Sequence, residues 1–224
     1  MTEGAASPRK VAIFDLDGTI TDTDTYRAFL LGFLARTPAR WARLPLLVLA
    51  AAARHAGLRD NHWLKLFFLT HVLAGASRDR LERYTESFCD RMLARHVRLG
   101  AAREIARAKA AGDLLVLASA SPDLYVTPLA QRLGFDRVVA TTTRFGADGR
   151  LAAEMPRGNC HGEMKRARVL ADQSDWGTHG ETRFYTDCHS DLPLMEAVDR
   201  PIAIHPTRKL REAAAERAIP IERW

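Results

Sequence analysis

Short apolar runs alternate along this chain with longer stretches in which apolar and polar residues recur at helical spacing. The short runs are Val11–Phe14, Leu114–Ala118, Val138–Thr141, Arg183–Tyr185 and Ile202–Ile204. Apolar residues on consecutive positions are the mark of a strand covered on both faces. Strands that alternate with helices predict an α/β fold, a doubly wound (Rossmannoid) parallel sheet with crossover helices. Ser121-Pro122-Asp123 reads as a helix start, with Ser121 as N-cap and Pro122 at the first helical position. Gly112 and Gly134 suit helix ends.

Between the first two strands, residues 25–99 carry no strand signal. They predict helices over Tyr26–Ala56, Asn61–Ala74 and Ser77–His96, with breaks at Gly57 and Gly75 and Ser77 as an N-cap. This divides the chain into a sheet-bearing core, residues 1–24 and 100–224, and a helical cap domain, residues 25–99. Thr141–Arg144, the Asp148-Gly149 turn and Leu151–Glu154 predict a hairpin flap.

Composition narrows the class. With 224 residues, 47% hydrophobic and 27% charged, the chain is long and apolar enough to bury a proper core. Met1 to Lys10 is polar and lacks a signal-peptide core. Three cysteines without a C-x-x-C spacing suit a reducing compartment, so a cytoplasmic location is expected. The net charge is +6, but the arginines are scattered and form no block interleaved with aromatics. A nucleic-acid partner is therefore not expected.

Four motifs carry candidate chemistry. In Phe14-Asp15-Leu16-Asp17-Gly18-Thr19, two carboxylates two residues apart leave an apolar strand on the same side. One suits a nucleophile and the other a general acid. Asp15, ionised at its ordinary pKa of about 3.9, can attack phosphorus, whereas Asp17 must hold a proton, which desolvation and neighbouring carboxylates favour. Gly18 permits a tight turn that brings backbone N–H groups, with Thr19 among the candidates, toward phosphate oxygens. After the second strand, Ser119 and the N–H groups that follow it, beginning at Ala120, can bind phosphate without adding bulk. In Gly162-Glu163-Met164-Lys165, a lysine inside a helix start can place a point charge on the phosphate and the nucleophile. In Asp187-Cys188-His189-Ser190-Asp191, Asp187 ends a strand and can join Asp15 as a magnesium ligand, while Asp191 can hold a water or orient Lys165. Cys188 and His189, being adjacent, lack zinc-site spacing. Asp15, Ser119 and Asp187 all fall at carboxyl ends of predicted parallel strands, where open α/β sheets bind ligands.

With these motifs in this order, the chain resembles the haloacid-dehalogenase superfamily of phosphatases, in its phosphoserine-phosphatase-like branch. The resemblance implies a phosphomonoester hydrolase that works through an aspartyl-phosphate, with Asp15 as nucleophile and Asp17 as acid/base. It also implies Ser119 and Lys165 on the phosphate, Mg2+ held by Asp15, the Asp17 backbone carbonyl and Asp187, and a helical cap after the first motif. Two departures matter. Cys188 stands where such proteins commonly carry serine. Asp24 stands where phosphoserine phosphatases tend to carry a glutamate that reads the substrate amine, and no match for their cap arginine is found. A small phosphorylated metabolite other than phosphoserine is the expected substrate, with Asp24 either a substrate contact or the N-cap of the next helix.

A second substrate class comes from Arg36, Arg40, Trp41 and Arg43 beside the apolar run Leu44–Ala53. The run is too short to span a bilayer, which needs about 20 residues. Either Leu46, Leu47 and Leu49 pack inside the cap, or the segment lies on an anionic membrane. The region is similar to that of phosphatidylglycerophosphate phosphatases of the same branch, so a lipid phosphate monoester is the alternative substrate. A catalytically silent phosphate-binding protein is the reading from another class. The intact set of Asp15, Asp17, Lys165 and Asp187 argues against it.

Overall fold

A computed structural model describes residues 8–224. The polar N-terminal reading falls largely on residues 1–7, outside the described residues. The strands are β1 (Arg9–Phe14), β2 (Leu114–Pro122), β3 (Arg137–Thr141), β4 (His179–Thr186), β5 (Arg200–Ile204) and the short β6 (Ile221–Glu222). They form one six-stranded sheet in the order β3-β2-β1-β4-β5-β6, with every neighbouring pair parallel. The chain moves outward from β1 through β2 to β3, then returns to lay β4 on the other side of β1. The carboxyl ends of β1 and β4 therefore meet at the switch point, where doubly wound sheets open a crevice.

The stretch after β1 holds α1 (Thr25–Ala35), a 3-10 turn (Pro38–Arg43), α2 (Leu44–His55), α3 (Asn61–Phe68), a π turn (Leu69–Leu73) and α4 (Arg78–Arg95). The helix expected over Tyr26–Ala56 is thus two. Pro38 has no N–H to donate and disfavours helix at the residue before it, and Thr37 accordingly sits at φ −134°. The insert leaves and rejoins the sheet through adjacent backbones, since Asp22 N–H donates to His96 O (3.0 Å) and Arg98 N–H to Ile20 O (2.9 Å). Phe29 and Phe88 of the insert pack on Tyr125, with Phe29 and Tyr125 stacked at 4.6 Å between centroids, and Tyr84 packs behind them on Phe29.

Alternation along the strands builds two apolar layers. Ala12, Phe14, Leu115, Leu117 and Tyr185 face α5 (Leu99–Ala110), α6 (Asp123–Leu133) and the insert. Val11, Ile13, Val116, Ala118 and Phe184 face α7 (Glu163–Gln173), α8 (Leu192–Met195) and α9 (Arg208–Glu216).

Two expectations are corrected here. Strand β2 runs on through Ser121, and α6 starts at Asp123 with Pro122 in the N-cap position, so Ser121 caps nothing. Helix α2 buries only Leu47 and Ala50, while Leu46 and Leu49 stand 43% and 65% exposed because no described residue covers that side of the helix. The basic residues beside it are engaged with main chain. The Arg40 guanidinium donates to Val72 O and Ala74 O, Arg43 to His71 O, and Trp41 Nε1 to Leu34 O, meeting carbonyls that helix ends leave open. Among the described residues no helix is long and apolar enough to cross a membrane.

The expected flap exists as an irregular hairpin. Phe145 bridges Leu151 antiparallel, and Ser77 bridges Arg150, which attaches the hairpin to the segment between the π turn and α4.

Candidate active site

The sheet ends β1 at Phe14 and β4 at Thr186, so Asp15 and Asp187 emerge side by side, with Asp15 N–H still donating to Tyr185 O (2.9 Å). Helix α7 then carries Lys165 beneath them. Its ammonium, 2% exposed, donates to Asp15 Oδ1 and Asp191 Oδ2, both at 2.8 Å. Thr186 Oγ1 also donates to Asp191 Oδ2 (2.7 Å), whereas Asp191 Oδ1 is buried with no protein partner. Burial alone would lower the Lys165 pKa, but Asp15 and Asp191 outweigh it and hold the ammonium charged.

Asp15 does not keep the ordinary pKa assumed from its residue type. Burial pushes it well up, Lys165 pulls it down, and Asp191 and Asp187 push it up again. The Asp187 carboxyl rises to about 6, from burial and then from Asp191. Three carboxylates, of Asp15, Asp187 and Asp191, thus crowd the one ammonium of Lys165. Gly18 turns at φ +82°, and a Cβ there would collide with the Asp187 carboxylate, so glycine is required on both counts. Thr19 is buried, with its hydroxyl 3.4 Å from Asp187 Oδ1.

Asp17 sits differently. Its Oδ1 accepts from the Thr25 N–H (2.6 Å) and hydroxyl (2.5 Å), and its Oδ2 accepts from the Ser121 hydroxyl (2.7 Å). Burial raises its pKa, and these hydrogen bonds oppose the rise. The direction is the one expected for an acid, though a neighbouring carboxylate, Asp24, contributes least of the causes. Ser119 is fully buried, and its hydroxyl accepts from Ser121 N–H (3.1 Å). The Ala120 carbonyl accepts from Lys65 Nζ and from the Thr141 hydroxyl, both at 2.7 Å.

Asp24 caps α1, with Oδ1 accepting from Arg27 N–H (2.8 Å), and it also borders a cavity that opens at Asp17. Cys188 lines that cavity, while His189 is exposed. Among the described residues no three His, Cys, Asp or Glu side chains converge as a metal-holding group.

Three side chains escaped the sequence reading. Ser121 reads as a helix cap, but its hydroxyl donates to Asp17 Oδ2. Thr25 opens α1 and aims its N–H at Asp17. Lys65 reaches the carbonyl of Ala120 near the end of β2 from α3, and its signal was a lone charge inside the apolar run Trp63–Phe68.

The haloacid dehalogenase-like hydrolase family model matches residues 12–196. A histidinol-phosphatase of Neisseria meningitidis is 27% identical over 223 residues, 95% of this chain and 98% of that protein. A protein of unknown function from Bordetella pertussis superposes with a TM-score of 0.85 at 29% identity, covering 96% of this chain and 98% of its own. A substrate-bound phosphoserine phosphatase shares the fold, with a TM-score of 0.65 at 17% identity over 97% of this chain and 94% of that one. The strand that leads into Asp15, the buried lysine and the carboxylates around it therefore lie within a haloacid dehalogenase-like hydrolase, the family to which this chain belongs, and its activity is that of a phosphatase.

Proposed function

We propose that the chain is a Mg2+-dependent phosphomonoesterase that attacks with Asp15 and acts on a small phosphorylated metabolite in the cytoplasm. The observation that carries this reading is the Lys165 ammonium bridging Asp15 Oδ1 and Asp191 Oδ2. It fixes the orientation of the Asp15 carboxylate and leaves Oδ2 without a hydrogen bond among the described residues.

In the reaction, Asp15 Oδ2 forms a bond to phosphorus as the ester P–O bond breaks. Asp17 delivers its proton to the departing oxygen, which leaves as an alcohol. Water then attacks phosphorus, gives a proton to Asp17, and releases inorganic phosphate and the Asp15 carboxylate. Lys165 holds equatorial oxygen charge, together with N–H groups at Gly18, Thr19 and Ala120 and the Ser119 hydroxyl.

The donor set suits Mg2+. Asp15, Asp187 and the Asp17 carbonyl are hard oxygens, the cluster is short of positive charge, and the Gly18 cradle keeps the Asp187 carboxylate in reach. Such an ion, when bound, neutralises phosphate charge and keeps the nucleophile ionised. The test is phosphate release from a panel of monoesters that includes histidinol phosphate, suggested by the Neisseria relative. Turnover should vanish with EDTA, return with Mg2+, and fall below about 1% in Asp15→Asn with the fold unchanged, since an amide cannot form the acyl phosphate. Substantial turnover in that variant, or in metal-stripped protein, refutes the assignment.

A further inference from the structure

We propose that the alcohol half of the substrate is an apolar chain, seated between α1, α2 and α3. This rests on the phosphomonoesterase reading and specifies its substrate class. A cavity of about 640 Å³ is lined by Asp17, Ser121 and Cys188. Beyond them its wall is Leu30 and Leu34 of α1, Leu47 of α2, Leu64 and Phe68 of α3, and Val72 of the π turn. The charged groups on the lining, Asp17, Asp24, Arg27 and Lys65, come from the loop after β1, the start of α1 and one face of α3, and α2 contributes none.

Side chains of folded proteins normally close apolar space to crystal-like density. Here leucines from three helices surround space that stays open, and the volume lies in the usual range for ligand sites, about 300–1,000 Å³. Away from Asp17, Ser121 and Cys188, a polar alcohol would find hydrogen-bonding groups only at Asp24, Tyr26, Arg27, Asn61 and Lys65, while the leucine wall from α1, α2 and α3 offers none. An alkyl or isoprenoid chain would instead be desolvated along its whole length. The exposure of Leu31 (57%), Leu44 (41%) and Val48 (67%) at the mouth continues the same apolar surface outward. The cavity and the carboxylate site meet at Asp17, so an anionic head and an apolar tail of one molecule could occupy the two sides of that residue.

The experiment uses the full chain with Mg2+ and two homologous series from ethyl to decyl, kept below their micelle concentrations. Binding of n-alkyl phosphonates is followed by calorimetry, and turnover of n-alkyl phosphates by phosphate release. Affinity and kcat/KM should each climb about fourfold per methylene until the chain outgrows the cavity. The double variant L31D/V48D, at the mouth of the cavity, should flatten both slopes, so that decyl and ethyl esters no longer differ in affinity or kcat/KM. Turnover of the monomeric esters alone assigns a free single-chain phosphate. Additional turnover of phosphatidic acid in neutral phosphatidylcholine vesicles assigns a membrane lipid. Flat affinity and flat kcat/KM in protein that hydrolyses ethyl phosphate overturn the inference and leave the phosphatase reading intact. Rising phosphonate affinity without hydrolysis of any ester supports the apolar seat and overturns the phosphatase reading.

Discussion

Replacing Lys65 by methionine should stabilise the protein at neutral pH. The side chain is largely buried, and its ammonium pKa falls from the ordinary 10.5 to about 8. Burial is the largest cause, Lys165 adds to it, and Asp17, Asp24 and Cys160 work against it. Because the folded pKa lies below the unfolded one, the charged form opposes folding. That penalty is fully present below the folded pKa and fades as pH rises from about 8 to 10.5. Its size at neutral pH is about 3 kcal/mol. Methionine keeps the unbranched shape but loses the bonds to Ala120 O and Asn159 Oδ1, which takes back about 1 kcal/mol. The Ala120 carbonyl is not orphaned, because the Thr141 hydroxyl still donates to it at 2.7 Å. A net gain of about 2 kcal/mol should raise Tm by roughly 4–8 °C for a chain of this length. Urea unfolding of both proteins, at neutral pH and at about pH 10, measures the gap through the midpoint at constant slope. The gap should shrink at the higher pH. A variant no more stable than the parent at neutral pH, or a gap indifferent to pH, would refute the reasoning.

The remaining predictions are shorter. Asp17→Asn should slow alkyl phosphate hydrolysis by about 100-fold or more while sparing para-nitrophenyl phosphate, whose leaving group needs little protonation. Equal losses on the two esters would make Asp17 a positioning group. Arg40→Glu should cost about 3 kcal/mol or more in urea unfolding, because two carbonyls, of Val72 and Ala74, lose a charged donor. A neutral result would mean the guanidinium bonds contribute nothing. Membrane affinity is for this reason better probed at the exposed Leu49 than by reversing arginines that hold the insert together.

The sheet was legible because parallel strands must be apolar on both faces, so Val11–Phe14 and Leu114–Ala118 stand out in a one-dimensional pattern. The charged groups of the site were legible for a related reason, since each follows an apolar strand or starts a helix. What escaped was set by tertiary context. Ser121 and Pro122 have ideal helix-start chemistry, yet pairing with Thr141 of β3 draws Pro122 into the strand and turns Ser121 toward Asp17. Leu46 and Leu49 read as core because they are apolar, and no local rule says which neighbours will be absent. Lys65 acquires its meaning only when α3 folds back over the end of β2, some fifty residues downstream.

The hairpin at Phe145–Leu151 has a mechanical consequence. Gly75 N–H donates to Leu151 O (2.8 Å), Leu151 N–H to Ala76 O (2.9 Å) and Arg78 N–H to Gly149 O (2.9 Å), with Arg150 reaching Gly75 O (2.7 Å). Together with the neck at Asp22–His96 and Ile20–Arg98, this pins the helical insert to the sheet at two separated points. A body held at one point can swing like a door, but one held at two can only flex between them. Rotating the whole insert would break several backbone hydrogen bonds, each worth about 1 kcal/mol. The part with room to move is the α2–α3 elbow around Gly57, which lies on the free side of both attachments. Motion should therefore concentrate at that elbow, and amide hydrogen exchange should run faster at Gly57 and Leu58 than at Gly75, Arg78 and Leu151.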